Sequence, residues 1–254
     1  MIYAVISDIH GNLAALQAVL KDMVTNGAER VLCLGDVVGY GPQPGECLDL
    51  LAHADFLIMG NHEEAVLHGA ENFNPRAKRA IEWTRDAILE QAHPDVRGRR
   101  EAMLNDLKLQ ESIRNYSFTH GSPRDPTREY VMPRDARNKK KMLEIFALVR
   151  HICFAGHTHL PGVFLQDGTF TRPNELWANT YFVEPDEKAF INVGSVGQPR
   201  DGDTRACYVL LDEGADSRRV IYRRVEYDLE RTAQLIEQNE FLDNYLADRL
   251  RAGR

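Results

Sequence analysis

Cysteine is scarce and unpatterned: Cys33, Cys47, Cys153 and Cys207 contain no C-x-x-C spacing. That argues against a disulfide scaffold and for a reduced cytosolic protein. Cys33 and Cys153 fall within apolar, strand-like runs, where a free thiol behaves as a small hydrophobe. Positive charge is also in deficit. With 31 Lys and Arg against 38 Asp and Glu, the net charge is −7, so polymeric nucleic acid is not an expected partner. Short basic runs such as Lys139 to Lys141 read as solvated faces. No apolar run reaches the length of a membrane span, and a strand starting at residue 2 leaves no room for a signal peptide, so the expected location is cytoplasmic. No repeat, low-complexity tract or Pro/Gly/Ser linker divides the 254 residues, and one domain over 1–254 is expected.

What is present is an alternation of apolar runs with helical patterns. Ile2 to Ser7 reads as a buried strand, followed by a helix capped by Asn12 and stopped at Gly27. A strand at Arg30 to Leu34, a helix at Gly45 to His53 after Pro44, and a strand at Phe56 to Met59 complete a β-α-β-α-β unit of an α/β sheet. Residues 62–114 are expected to be a mainly helical insertion over the site, with helices at Pro75 to Gln91 and Arg97 to Leu109; Trp83 falls at core spacing. Then come a strand at Tyr116 to Thr119, a helix at Arg134 to Val149 and a strand at Ile152 to Ala155. Short strands follow at Val163 to Gln166, Trp177 to Val183, Ala189 to Val193, Arg205 to Asp212 and Arg219 to Tyr227, with a final helix at Leu229 to Leu250.

Five of the strands end in polar residues beside a glycine: D8-x-H10-G, G-D36, G-N61-H62, H120-G and G-H157-x-H159. In an α/β sheet, ligands bind beyond the carboxyl ends of the strands. In an extended D-x-H or H-x-H the two side chains would point to one side, about 7 Å apart, and could grip one ion or two neighbouring ions. Asp8, His10, Asp36, Asn61, His120, His157 and His159 offer oxygen and nitrogen donors with no thiolate, a set suited to Mn, Fe or Zn. Seven donors are too many for one divalent ion and fit two, given a shared carboxylate. Such an open pair can activate water and clamp a phosphoryl group.

On these residues the sequence resembles the calcineurin-like metallophosphoesterase superfamily, whose signature runs D-x-H, G-D, G-N-H-[DE], H and G-H-x-H; the likeness spans about residues 1–212. S-D-I-H-G-N, G-D-V-V-G-Y-G-P and N192-V-G-S-V-G-Q-P-R200 bring it nearest to small bacterial stand-alone phosphoesterases. The resemblance implies a four-layer α/β/β/α sandwich of two mixed sheets flanked by helices. It implies one metal on Asp8, His10, Asp36 and His159 and a second on Asp36, Asn61, His120 and His157, with Asp36 bridging and catalytic. His62 is then not a ligand but the catalytic group facing the leaving oxygen. Protein phosphatases and symmetric dinucleotide hydrolases of the superfamily carry a phosphate-gripping Arg where Tyr40 stands here.

The expected activity is therefore hydrolysis of a small phosphodiester or nucleotide-type anhydride, with two divalent ions and attack by a bridging, deprotonated water. Asn61, Tyr40, Asn192 and Arg200 are the expected substrate contacts. A protein Ser/Thr phosphatase and a dinucleoside polyphosphate hydrolase are alternatives within the fold. A non-catalytic scaffold, as in a retromer subunit with a degraded site, is the alternative outside catalysis.

Overall fold

Strand β1 (Ile2–Ile6) carries no charged residue because both of its faces are covered. Ala4 and Ile6 share one core cluster with Leu16 and Val19 of the following helix, α1 (Leu13–Thr25). Tyr3 and Val5 share another with Phe118, Ile152 and Phe154 of a second sheet. This period of two fixes the layering in a computed structural model, which describes residues 1–90, 92–214 and 217–254. Asn12 caps α1 by accepting the Ala15 N–H at 3.1 Å, as its sequence position suggests.

Strands β2 (Arg30–Cys33) and β3 (Phe56–Leu57) lie parallel to β1, with α2 (Pro44–Leu51) between them in sequence. Three helices follow: α3 (Asn61–His68), α4 (Pro75–Arg85), which runs on as a π-helical turn over Asp86–Glu90, and α5 (Pro94–Asn105). The expected helix end at Gln91 lies outside the described residues. The helical stretch closes earlier than expected, because Gln110–Ile113 is a strand (β4) paired antiparallel with β5 (Tyr116–Thr119).

The helix expected at Arg134 to Val149 is broken. A 3-10 turn at Pro133–Arg137 gives way to α6 (Lys139–Leu148) at Asn138, whose side chain accepts the Lys141 N–H and starts a new helix. Strands β6 (Ile152–Ala155), β7 (Gly162–Leu165), β8 (Phe170–Thr171), β9 (Thr180–Phe182), β10 (Ala189–Asn192), β11 (Ala206–Glu213) and β12 (Arg218–Val225) complete the sheets. Strand β8 was not foreseen, and β9 is shorter than expected because Ala178 and Asn179 take positive φ. The single helix expected at Leu229 to Leu250 is two, α7 (Leu229–Glu237) and α8 (Tyr245–Ala252). Between them Asn239 and Asp243 accept the N–H groups of Phe241 and Tyr245, local bonds that compete with a continuous helix.

The two mixed six-stranded sheets run β3-β2-β1-β11-β12-β9 and β4-β5-β6-β10-β7-β8. Helices α1 and α2 cover the outer face of the first, and α6 covers the second through Met142, Ile145 and Phe146 against Cys153 and Phe190. The result is the expected α/β/β/α sandwich. A further cluster joins α7 and α8 to α4, with Ala233, Ile236, Leu246 and Leu250 around Ala80, and Trp83 packs against it. All four cysteines are buried and free. Among the described residues no helix is long and apolar enough to cross a membrane.

Candidate metal centre

The loops leaving β1 and β2 are zipped together by main-chain bonds from Asp8, His10 and Gly11 N–H to the carbonyls of Gly35, Asp36 and Val37. Here the extended geometry assumed for D-x-H and H-x-H fails. Asp8, His10, Asp36, His157 and His159 all take left-handed backbone conformations, with φ between 49 and 65°. That turns each chain back over its own strand end; Asp and His tolerate the region better than branched residues do. It also divides the H-x-H pair. His159 joins Asp8 and His10, while His157 joins Asp36 and His120, the ligand atoms of each trio lying within 4.8 Å of one another.

The contacts within each group are short. His159 Nε2 is 3.1 Å from Asp8 Oδ1 and 3.2 Å from His10 Nε2. His120 Nε2 is 3.0 Å from Asn61 Oδ1, 3.1 Å from His157 Nδ1 and 3.3 Å from Asp36 Oδ2. Asp36 Oδ2 also lies 3.7 Å from His10 Nε2, so one oxygen stands between the two groups.

Each of these four histidines commits its other ring nitrogen to a main-chain carbonyl: His10 Nδ1 to Val38, His120 Nδ1 to Leu34, His159 Nδ1 to Gln198 and His157 Nε2 to Arg128. A carbonyl can only accept, so in the neutral ring the proton sits there and the bare nitrogen faces the centre. Two such bare nitrogens, His10 Nε2 and His159 Nε2 at 3.2 Å, repel each other unless a cation lies between them. Ligands on a sphere of about 2.1 Å at tetrahedral to octahedral angles stand roughly 3.0–3.4 Å apart. Among the described residues Asp8 Oδ1 is buried with no hydrogen-bond partner, while Oδ2 accepts the His157 N–H at 3.0 Å. An orphaned carboxylate oxygen beside bare imidazoles fits a cation on each group of donors.

Burial opposes ionisation of both carboxylates, yet the rings around them prevail: His159 holds Asp8, and His120 with His62 holds Asp36, well below the usual carboxylate range. Burial keeps His10 low and pushes His157 down to about 3. His120 goes the other way; against its burial, the Asp36 carboxylate lifts it to about 9. A cation on Asp36 would take over the place of that proton.

His62 differs from the four rings just described. Among the described residues its Nδ1 is buried without a partner, and no carbonyl orients it. Its ring is instead wedged edge-on between Tyr40 and Phe73, with centroids at 4.5 and 5.2 Å. Burial, only partly offset by Asp36, holds it down to about 4. Room for it comes from Gly39, where a Cβ would sit 2.1 Å from Nδ1 and φ is +83°.

A cavity of about 300 Å³ opens over the centre, walled by Tyr40, His62, Phe73, Tyr130 and Arg200. Two of the expected substrate contacts, Tyr40 and Arg200, thus reach it, and Asn61 does so from the start of α3. Asn192 does not. Its amide is used up inside the protein, donating to Gly156 O and Thr158 Oγ1 and accepting from Gly194 N–H, so it clasps the His157 loop instead. Phe73 and Tyr130 escaped the sequence reading, since neither belongs to a motif. Tyr130 lies over the His157 ring at 3.9 Å. Glu63 closes the G-N-H-[DE] motif. It accepts four main-chain N–H groups, those of Asp36, Val37, Val38 and Gly60, and so binds the Asp36 loop to the start of α3. Burial, with the Asp36 charge, pushes it up to about 7 against the pull of those donors.

A family model for the calcineurin-like phosphoesterase superfamily domain matches residues 1–216. An uncharacterized protein of Methanocaldococcus jannaschii, MJ0912, is 36% identical over 259 residues, spanning 99% of this chain and 98% of its own. The crystal structure of a metallophosphoesterase from Sphaerobacter thermophilus is similar with a TM-score of 0.82 at 32% identity, over 100% of this chain and 99% of that one. The hypothetical protein PH1004 from Pyrococcus horikoshii OT3 shares the fold with a TM-score of 0.75 at 20% identity, over 100% and 98%.

Proposed function

This chain belongs to the calcineurin-like phosphoesterase superfamily, and we propose that it hydrolyses a phosphoester bond of a small phosphodiester or nucleotide-type anhydride. The observation that carries this reading is the set of four tethered imidazoles whose bare nitrogens converge on either side of Asp36 Oδ2. Asp8, His10, Asp36 and His159 would hold one divalent ion, and Asp36, Asn61, His120 and His157 a second. Bound there, two such ions supply Lewis acidity to the phosphoryl oxygens and lower the pKa of water to near neutral.

The protein's own groups do the rest. Asp36 sets the spacing of the two places through one shared oxygen. Arg200, whose Nε–H is buried and without an acceptor, offers a donor to a non-bridging phosphoryl oxygen. Tyr40 occupies the position of the phosphatase Arg and lies against both His10 and His62. His62 reaches the cavity as a neutral ring, able to give a hydrogen bond to the departing oxygen. An anion beside it raises its pKa and makes it a better proton donor.

His62→Ala is expected to lower turnover of an aryl phosphodiester by ~10²-fold, with bound metal unchanged in elemental analysis. An equal loss of metal would make His62 a ligand and refute its assignment. The reaction class is tested by incubating the Mn-loaded protein with aryl phosphomonoesters, aryl phosphodiesters and dinucleoside polyphosphates. Turnover of the diester or the anhydride is expected; failure on all three with both metals bound overturns the reading.

A further inference from the structure

The apolar side chains that line the cavity over the metal centre are Tyr40, Ala65, Phe73 and Tyr130; among the described residues no Leu, Ile, Val or Met reaches it. Tyr40 is taken up by its neighbours, its ring centroid lying within 4.8 Å of those of His10 and His62. Phe73 and Tyr130 remain. Tyr130 is 49% exposed, although its ring centroid stands only 3.9 Å from that of His157. Phe73 is half-buried and meets His62 edge-on. Both rings sit on anchored main chain. The Tyr130 carbonyl accepts Lys141 Nζ at 2.5 Å, and the next residue, Val131, shares a buried cluster with Met142 and Ile145 of α6. Two residues earlier, Arg128 is forked onto Glu64 at 2.8 and 3.1 Å, which ties the same loop to α3. Phe73 donates its N–H to Ala70 O at 3.2 Å, and Asn74 beside it caps α4 through the Ala77 N–H. Rings held in this way lose little freedom when a ligand covers them.

Branched aliphatic walls would suit an alkyl or acyl chain. Flat aromatic walls favour a flat aromatic partner, since every base offers a π-face on which such a ring can stack. The volume of about 300 Å³ stands at the lower end for small-molecule sites and leaves no room for a protein segment. Asn72, exposed beside Phe73 and also lining the cavity, adds an amide able to bond the polar edge of a heterocycle. We infer that Tyr130 and Phe73 form a stacking subsite for a nucleobase, carried by the same molecule whose phosphate meets the metal centre. The substrate class is then a nucleotide, and phosphodiesters with only aliphatic groups are poor ligands. The inference rests on the phosphoesterase reading for the phosphate, but the subsite itself is measured by binding alone.

The test is calorimetric titration of the Mn-loaded protein with adenosine 5′-monophosphate and with ribose 5-phosphate, which lacks the base. Wild type is expected to bind the nucleotide at least fivefold tighter. Tyr130→Leu and Phe73→Leu are each expected to weaken the nucleotide at least threefold and ribose 5-phosphate less than twofold, with metal content unchanged. Tyr130→Trp, which keeps a flat face, is expected to retain the preference. Equal affinities of the two ligands for wild type overturn the subsite, as does an unaltered preference in both folded Leu variants. Equal losses for both ligands in Tyr130→Leu would trace its effect to His157 and overturn the stacking role as well. Should neither Leu variant fold, the wild-type comparison decides alone. A preference for the nucleotide without turnover of any ester strikes only the catalytic reading; binding of ribose 5-phosphate without that preference strikes only the subsite. Failure of both ligands to bind overturns the two together.

Discussion

Replacing Asp36 by Asn is expected to reduce metal-dependent cleavage of an aryl phosphodiester by ~10³-fold or more, with the fold retained. The physical reason is the position of one oxygen. Asp36 Oδ2 lies 3.3 Å from His120 Nε2 and 3.7 Å from His10 Nε2, so both proposed ions would lean on the same negative charge. Asparagine keeps the shape and can still accept the His62 N–H, which Asp36 Oδ1 takes at 2.9 Å. What it removes is the charge. Metal content should fall along with activity while the urea midpoint of the metal-free protein stays near that of wild type. Wild-type rates with Mn supplied would show that Asp36 is no bridge.

The largest effect on stability is expected at Glu63. Its two oxygens accept the N–H groups of Asp36 and Gly60 on one side and of Val37 and Val38 on the other, all buried. Glu63→Ala strands four main-chain donors where water does not readily follow. At ~1–3 kcal/mol for each unsatisfied buried group, a loss of about 4 kcal/mol or more is expected in urea denaturation. Glu63→Gln should recover only part of it, because the amide nitrogen meets donors with a donor. A change within about 1 kcal/mol for Glu63→Ala would mean that those donors find other partners, and that the Asp36 loop does not depend on this carboxylate.

The elements that were legible are those in which local signals agree with tertiary demand. The apolar runs at Ile2–Ile6 and Ile152–Ala155 are strands with nearly the expected limits, because burial on both faces leaves little room for polar residues. The rim where they end was legible too, since each break from apolar to Asp or His is abrupt. The left-handed turns at that rim were not: nothing in the letters D-x-H separates an extended chain from one folded back at φ 55 and 49°. Helix interruptions at Asn138 and at Asn239 to Asp243 were missed for a related reason. Apolar spacing continues across them, while side-chain acceptors claim the amides locally. Asn192 stands in a stretch that resembles phosphoesterases, yet its amide is consumed by main chain, which only coordinates reveal.

The centre draws its donors from both sheets. Asp8, His10, Asp36 and Asn61 follow β1, β2 and β3 of one, and His120, His157 and His159 follow β5 and β6 of the other. Cations held in the proposed places would therefore rivet the two halves of the sandwich at their shared edge. Whatever strips them should loosen the whole molecule as well as silence it, and the melting temperature should climb with the free concentration of the ion.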